Sequence, residues 1–151
     1  MPAIQGGGCM KDEFLVDTNV LVYAFDESEP SKRKKAKIIV EGASKGELKA
    51  AVSGQVLGEL FAALTKKIEM PIQAREAQII VNGFIDSRHW RKLDYTAKTI
   101  SRAMETSIAD KTPFWDSVIA ETVLENKVYV IYTENTQDFK NAKISAVNPF
   151  K

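Results

Sequence analysis

The sequence feature that most constrains the fold is the stretch from Phe14 to Phe25, FLVDTNVLVYAF. It contains two apolar runs that are separated only by the polar residues Asp17, Thr18 and Asn19. This pattern predicts a short buried strand that leads directly into a helix. Asp17 would then stand at the carboxyl end of a strand, where open α/β sheets place their ligand sites. Aspartate is also a common helix N-cap, so this position alone does not indicate a function.

The composition is that of a single domain. The chain has 151 residues, and its apolar content of 44% is sufficient for one hydrophobic core. We expect residues 13–151 to form this domain and residues 1–12 to be a flexible leader without the apolar segment of a signal peptide. The one cysteine, Cys9, has no partner for an intrachain disulfide, which suits a cytoplasmic protein. No run in the sequence is long and apolar enough to span a membrane.

Strand and helix patterns alternate along the rest of the chain. Short apolar runs predict strands at 48–53, 89–93, 128–132 and 145–148. Helices are expected at 31–45, 55–67, 71–84, 96–107 and after residue 113, with Pro71 opening one helix and Thr112 capping another. Phe61 is expected on the buried side of its helix. This order of elements predicts an α/β layered fold with a central, mostly parallel sheet flanked by helices.

Four acidic residues lie at strand ends or on helices that such a sheet would gather at one edge: Asp17, Glu59, Asp116 and Asp138. Each has a structural explanation of its own, respectively as an N-cap, a partner in a distant ion pair, a charge that offsets a helix dipole, and a turn residue. Together they would repel one another and raise each other's pKa unless a cation lay between them. Carboxylates without a nearby His or Cys favour Mg²⁺ or Mn²⁺, and two such ions about 4 Å apart serve phosphodiester hydrolysis.

A basic run lies at the start of the helix expected at 31–45. Lys and Arg total 21 against 20 Asp and Glu, so the formal net charge of +1 neither requires nor excludes a polyanionic partner. The run is either a solvated helix face or a surface for a phosphate backbone, whose candidate contacts are Lys32, Arg33 and Lys35. His89 is the one histidine, and we interpret it as an ordinary surface or strand-end residue.

Four segments that contain these acids occur in the order and at the spacing of a known family. They are DTNVLVYAFDESEPSKRKKA, QVLGELFAAL, PFWDSVIAETVLEN and VIYTENTQDF. They resemble the motifs of PIN-domain ribonucleases, particularly the VapC-like toxins of type II toxin–antitoxin pairs. The resemblance covers nearly everything from Phe14 onward. It implies that the four acids bind divalent ions and that Asn19 and Thr133 orient carboxylates or water.

The last motif departs from the family pattern at Asn135, where many relatives have an aspartate. Either Glu134 or Asp138 would therefore supply the remaining ligand, and the sequence leaves that choice open. Glu134 and Asn135 are accordingly placed with Asn19 and Thr133 among the supporting polar residues.

The resemblance implies a PIN-like fold and a divalent-metal-dependent endoribonuclease with two Mg²⁺ or Mn²⁺ ions per site. It also implies a homodimer, an RNA substrate, and a small antitoxin protein whose tail occludes the acidic pocket. A PIN nuclease of RNA processing or quality control, and an inactive PIN-fold interaction module, remain alternatives. A haloacid-dehalogenase-type phosphatase is disfavoured, because that chemistry needs a second aspartate where this chain has Asn19.

Overall fold

The structure is a computed structural model that describes residues 12–151. Within this range the five strands are β1 (Phe14–Val16), β2 (Ala50–Ser53), β3 (Trp90–Leu93), β4 (Val130–Tyr132) and β5 (Ser145–Val147). The six α-helices are α1 (Thr18–Tyr23), α2 (Pro30–Ser44), α3 (Gly54–Lys66), α4 (Ala74–Asp86), α5 (Ala97–Asp110) and α6 (Phe114–Glu125). A short 3-10 helix, Thr136–Asp138, follows β4. Cys9 and most of the leader expected at 1–12 lie outside the described residues.

The strands form one sheet in the order β3-β2-β1-β4-β5, and all the pairings between described strands are parallel. β1 occupies the centre, where Leu15 aligns with Ala51 of β2 on one side and with Ile131 of β4 on the other. Every residue of β1 and β2 is buried, as expected for parallel strands that are covered on both faces. The α/β fold with a central parallel sheet is thereby confirmed.

The strand order creates a crevice at the carboxyl edge of the sheet. The chain passes from β1 to β2 and β3 on one side, and then crosses to β4 and β5 on the other. The connections that follow β1 and β4 therefore diverge, which opens a crevice between the ends of these strands. Asp17 N donates to Tyr132 O at 2.9 Å, and Thr133 N donates to Val147 O at 2.9 Å. These bonds place Asp17 and Thr133 side by side at the crevice.

Apolar contacts hold the helices on the sheet. α3 buries Val56, Leu60 and Leu64 at the spacing of one helix face. Trp90 of β3 packs edge-to-face on Phe84 of α4, with 5.0 Å between the ring centroids. Truncating a leucine as buried as Leu60 to alanine typically costs about 2–5 kcal/mol, whereas a partly exposed ion pair contributes about 0–1 kcal/mol. The three ion pairs among residues 12–151 are all partly exposed, so packing dominates the stability.

The helix expected to open at Pro71 begins three residues later, at Ala74. The reason is a contact outside the local pattern: Ile72 N donates to Leu64 O at 2.8 Å and ties this segment to the end of α3. Phe61 was expected on the buried side of α3 but is 38% exposed. The described helices also include none with the length and apolarity needed to cross a membrane.

The N-cap expected at Thr112 is wrong by one residue. Pro113 occupies the N-cap position of α6 and makes no side-chain capping bond. The Thr112 hydroxyl is instead 2.7 Å from the hydroxyl of Ser117, and both side chains are buried. The buried hydroxyl pair satisfies Thr112 inside the protein, so the residue is not needed as a cap.

Candidate active site

Asp17 is the most buried of the four predicted acids, with 6% of its surface exposed. It follows β1 directly and caps α1, since its Oδ1 accepts a hydrogen bond from Thr18 N at 2.8 Å. Burial raises the pKa of Asp17, and the charges of Glu59 and Asp138 add to this rise, while hydrogen bonds from Thr133 and Thr18 oppose it. The residue is therefore both a helix cap and a buried acid whose ionised form is disfavoured.

Asn19 and Thr133 fix the second oxygen of Asp17. Thr133 Oγ1 donates to Asp17 Oδ2 at 2.8 Å, and Asn19 Nδ2 lies 3.4 Å from the same oxygen. The two supporting residues also contact each other, with 3.3 Å between Asn19 Nδ2 and Thr133 Oγ1. Asn19 Oδ1 accepts from Glu134 N at 3.1 Å, and Thr133 Oγ1 accepts from Asn135 N at 3.1 Å. These bonds lock the loop after β4 to the start of α1.

Glu59 approaches the same edge from α3. Its side chain is exposed, so it does not interrupt the buried apolar face of the helix. Glu59 Oε1 accepts a hydrogen bond from Thr18 Oγ1 at 3.1 Å. It forms no ion pair with any other residue of the described chain, and the ion-pair explanation for this glutamate does not apply there.

Asp116 and Asp138 reach the crevice from two different elements. Asp116 lies in the first turn of α6, and Asp138 ends the 3-10 helix that follows β4. Burial raises the pKa of Asp116 to about 7; the charges of Asp17 and Asp138, a hydrogen bond with Asp138, and the charge of Glu59 contribute in that order. All three other acids are thus electrostatic neighbours of Asp116.

The acids face a cleft of about 430 Å³ at the carboxyl edge of the sheet. Asp17, Glu59 and Asp116 line it together with Asn19 and Asn135. Asp138 is an electrostatic neighbour of Asp116, but it does not line the cleft. Among residues 12–151, no three acid, His or Cys side chains lie close enough together to hold one ion between them as they stand.

Glu134 is engaged away from the acids. Its carboxylate accepts hydrogen bonds from Lys32 Nζ at 2.6 Å and from Tyr23 OH at 2.8 Å. Burial alone would raise the pKa of Glu134, but the bonds from Lys32 and Tyr23 lower it. Glu134 does not line the cleft.

The three candidate phosphate contacts on α2 are also partly occupied. Lys32 is bound to Glu134, and its ammonium lies 4.8 Å from the centre of the Tyr23 ring. Lys35 Nζ donates to the backbone oxygen of Phe150 at 3.2 Å. Arg33 is partly buried, and its Nε has no hydrogen-bond partner within residues 12–151. The basic run therefore serves contacts within the protein as well as facing solvent.

Several lining residues of the cleft were not singled out from the sequence, among them Thr18 and Tyr23. Tyr23 lies four residues after Asn19 on α1, which places both on one helix face and was the available signal. The pKa of the Tyr23 phenol is raised by burial and by its hydrogen bond to Glu134. The bond to Glu134 joins residues 111 positions apart, so no local pattern could have indicated it.

Comparison with known proteins identifies the architecture. A family model described as PIN domain matches residues 14–144. No curated protein sequence matches the chain significantly.

Three solved structures share the fold. The first is VapC20 of Mycobacterium tuberculosis, described as a sarcin–ricin loop cleaving toxin, with 18% identity and a TM-score of 0.68 over 89% of this chain and 98% of that chain. The second is a toxin–antitoxin complex from Klebsiella pneumoniae, with 20% identity and a TM-score of 0.62 over 89% and 96% of the two chains. The third is VapBC2 of Rickettsia felis bound to a DNA fragment from its promoter, with 19% identity and a TM-score of 0.60 over 90% and 98%.

Proposed function

Because the chain belongs to the PIN domain family, we propose that it is a divalent-metal-dependent endoribonuclease and the toxin of a toxin–antitoxin pair. The observation that supports this most directly is the arrangement of acids from four separate segments. Asp17, Glu59 and Asp116 face one cleft, and Asp138 is an electrostatic neighbour of Asp116 beside it. Such a cluster is suited to the hydrolysis of phosphodiesters.

The donor atoms of the cleft fit hard divalent cations. The four acids offer only carboxylate oxygens, which are the ligands preferred by Mg²⁺ and Mn²⁺. The raised pKa values of Asp17 and Asp116 indicate that the cluster is electrostatically unfavourable without a cation. An ion would draw these side chains closer than they stand. We expect two ions in this space.

Asp138 is the better candidate for the fourth ligand, which the sequence left open between Asp138 and Glu134. Glu134 already has two partners, Lys32 and Tyr23, and its lowered pKa reflects them. Asp138 lies within electrostatic range of both Asp116 and Asp17. Recruiting Glu134 would break an ion pair, whereas recruiting Asp138 would relieve a repulsion.

The residues around the acids would position the reacting groups. Asn19 and Thr133 hold Asp17 Oδ2 in place, and Thr18 N holds Oδ1, so this carboxylate is preorganised. Exposed Glu59 is held by a single side-chain bond and can adjust to the substrate. When bound, divalent ions make water a better nucleophile and offset the charge that develops on the leaving oxygen. The cleft is open, which suits an unpaired RNA segment.

The toxin assignment rests on the solved structures that share this fold. Two of the three are described as toxin–antitoxin or VapBC complexes, and the third as a toxin that cleaves the sarcin–ricin loop. We therefore expect RNA as the substrate, a homodimer, and a small antitoxin as partner. An apolar groove of about 270 Å³ between α2 and α4 is a candidate docking surface for the antitoxin, since it is lined by Val40 and Phe84 and by Ile79, which is 67% exposed.

The catalytic part of the proposal is tested by incubating purified protein with total RNA in Mg²⁺, Mn²⁺ or EDTA and mapping the cleaved ends. We expect discrete cuts that require either metal ion. Asp116→Asn should abolish them, whereas the exposed control Asp94→Asn should cleave as wild type does. Full cleavage in EDTA, or by Asp116→Asn, would show that the acidic cleft is not the active site.

The partner part is tested separately by light scattering and by co-expression with the small protein encoded beside the gene. A dimer mass and a stable complex in which cleavage is inhibited are the expected results. A metal-dependent nuclease that remains monomeric and binds no adjacent gene product would instead be a PIN nuclease of RNA processing or quality control.

A further inference from the structure

A second cleft, of about 570 Å³, lies at the amino edge of the sheet, opposite the acids. Its polar lining consists of Glu13 before β1, Lys49 before β2, Arg88 and His89 before β3, and Arg91 within β3. We call it the amino-edge cleft. Three of these side chains are cationic and one is anionic. In a parallel sheet all strands start at the same edge, so residues that precede them gather there.

The single acid of the amino-edge cleft is already neutralised. Glu13 Oε1 is paired with Arg91 Nη1 at 2.6 Å, and Arg91 Nη2 donates to Asn126 O at 3.2 Å. The side chains of Lys49 and Arg88 form no hydrogen bond or ion pair with any residue of 12–151, and both are exposed. The cleft therefore presents two uncompensated positive charges. Residues 1–11 contain no Asp or Glu that could compensate them.

The wall of the amino-edge cleft is fixed by the backbone. Gly46 follows α2 with a φ of +79°, which is unfavourable for other residues. A Cβ at this position would lie 2.8 Å from two atoms of the His89 ring, so the glycine and the imidazole are in close contact. This contact explains the one histidine of the chain as a wall residue, and it holds the turn before Lys49 against the loop that contains Arg88.

An acidic active site needs cations elsewhere to attract a polyanion. Four carboxylates and two divalent ions sum to zero charge, and the whole chain has a formal charge of only +1. Attraction of RNA must therefore come from local clusters of free cations. Of the candidate contacts on α2, Lys32 and Lys35 are held by Glu134 and Phe150, whereas the side chains of Lys49 and Arg88 have no partner among residues 12–151.

We propose that the amino-edge cleft binds backbone phosphates of single-stranded RNA, at a distance from the bond that is cut. This rests on the proposed ribonuclease function and adds a second contact surface for the same substrate. The two edges are separated by the length of the strands, and four-residue β2 spans only about 13 Å. An extended RNA strand of several nucleotides is long enough to span this distance.

The test measures RNA affinity without cleavage. A labelled single-stranded RNA of about 30 nucleotides is titrated in EDTA over a range of salt concentrations with wild type, Lys49→Gln/Arg88→Gln, and a control, Arg75→Gln/Lys98→Gln. The control removes the same charge from exposed positions on α4 and α5. Loss of two phosphate contacts should reduce the magnitude of the slope of log K against log salt by about 1.4. If these contacts contribute nothing at 1 M salt, the affinity of the double variant at 0.1 M salt should be roughly 25-fold lower than that of wild type. The control should leave the slope unchanged.

A second measurement follows RNA cleavage in Mg²⁺. Lys49→Gln/Arg88→Gln should raise KM and leave kcat unchanged, because the cleft is remote from the acids. Equal salt slopes for the two double variants, or no RNA binding by wild type, would overturn the amino-edge site. If the two double variants have equal salt slopes, cleavage by wild type would still support the ribonuclease function. If wild type binds RNA with the expected slopes but never cuts it, only the ribonuclease function would be overturned.

Discussion

At the scale of single residues, Asp17 combines two tasks that can be separated experimentally. One oxygen caps α1 through Thr18 N, and the other is held by Thr133 and Asn19 at the cleft. An asparagine in its place can keep the capping oxygen but brings no charge. The cap contributes to folding, whereas the buried charge disfavours the metal-free fold and becomes favourable only where a cation is bound.

We predict that Asp17→Asn is no less stable than wild type when both are free of metal, because the change removes a buried, repelled carboxylate. Cleavage should be lost. Stabilisation by Mg²⁺ should be lost as well, and in wild type this should amount to about 1.4 kcal/mol at free Mg²⁺ roughly ten times its Kd. Thermal melts with and without Mg²⁺ measure both effects. Equal stabilisation of the two proteins by Mg²⁺ would mean that Asp17 is only a cap.

Asp116 should make the metal-free protein less stable as the pH rises. Its pKa in the folded protein is about 7, against an ordinary value of 3.8, so the folded state binds the proton more tightly than the unfolded state. This contribution to the free energy of unfolding is complete below about pH 4 and is lost as the pH rises to about 7. Urea unfolding in EDTA across this range should show the loss.

In the same experiment Asp116→Asn should show a smaller decline with pH, and the exposed Asp94→Asn should decline as wild type does. An unchanged decline in Asp116→Asn would assign the pH dependence to other groups.

At the scale of elements, the turn after α2 depends on a contact between Gly46 and His89. Gly46→Ala should cost about 1–2 kcal/mol for the left-handed backbone, and more because its Cβ would lie 2.8 Å from the His89 ring. In a His89→Ala background only the backbone cost should remain. Urea denaturation of wild type, the two single variants and the double variant completes a double-mutant cycle. Equal costs of Gly46→Ala in both backgrounds would exclude the contact.

The elements themselves were largely predictable from the sequence, because the information is local. Local patterns of apolar residues show which side of an element is buried. Examples are the apolar run before Asp17, the strand and helix patterns that alternate after it, and the helical spacing of apolar residues in α3. The errors arose where a contact with a neighbouring element decides: Leu64 at the end of α3 binds Ile72 and delays α4, and Ser117 of α6 engages Thr112.

The candidate site was predictable as a set of residues but not as an arrangement. Strand ends and helix turns identified the acids, and the parallel sheet implied a common edge. The proposed preference for Asp138 over Glu134 rests on the position of Lys32, which is 102 residues from Glu134 along the chain. The cluster of cations at the amino edge could not be predicted from the sequence either. Lys49 and Arg88 are brought to the same edge only by the pairing of β2 with β3.

At the scale of the whole molecule, we predict that residues 13–151 unfold as one cooperative unit, since both sides of the central strand belong to one core. The two tryptophans provide the test, because Trp90 is 1% exposed and Trp115 is 51% exposed. In Trp115→Phe, the fluorescence of Trp90 and far-UV circular dichroism should give the same urea midpoint. Two separate midpoints would indicate independent units.

Acids cluster at the carboxyl edge of the sheet and cations at the amino edge, so charges of opposite sign are separated despite the formal charge of +1. At ionic strengths near 0.01 M the Debye length is about 30 Å, so charges on the protein surface are only weakly screened. A charged resin can then bind the face of opposite charge, whatever the net charge of the protein. The metal-free protein should therefore be retained by both anion- and cation-exchange columns. Mg²⁺ in the buffer should shorten retention on the anion exchanger but not on the cation exchanger. The retention time would therefore show whether Mg²⁺ is bound at the acidic cleft.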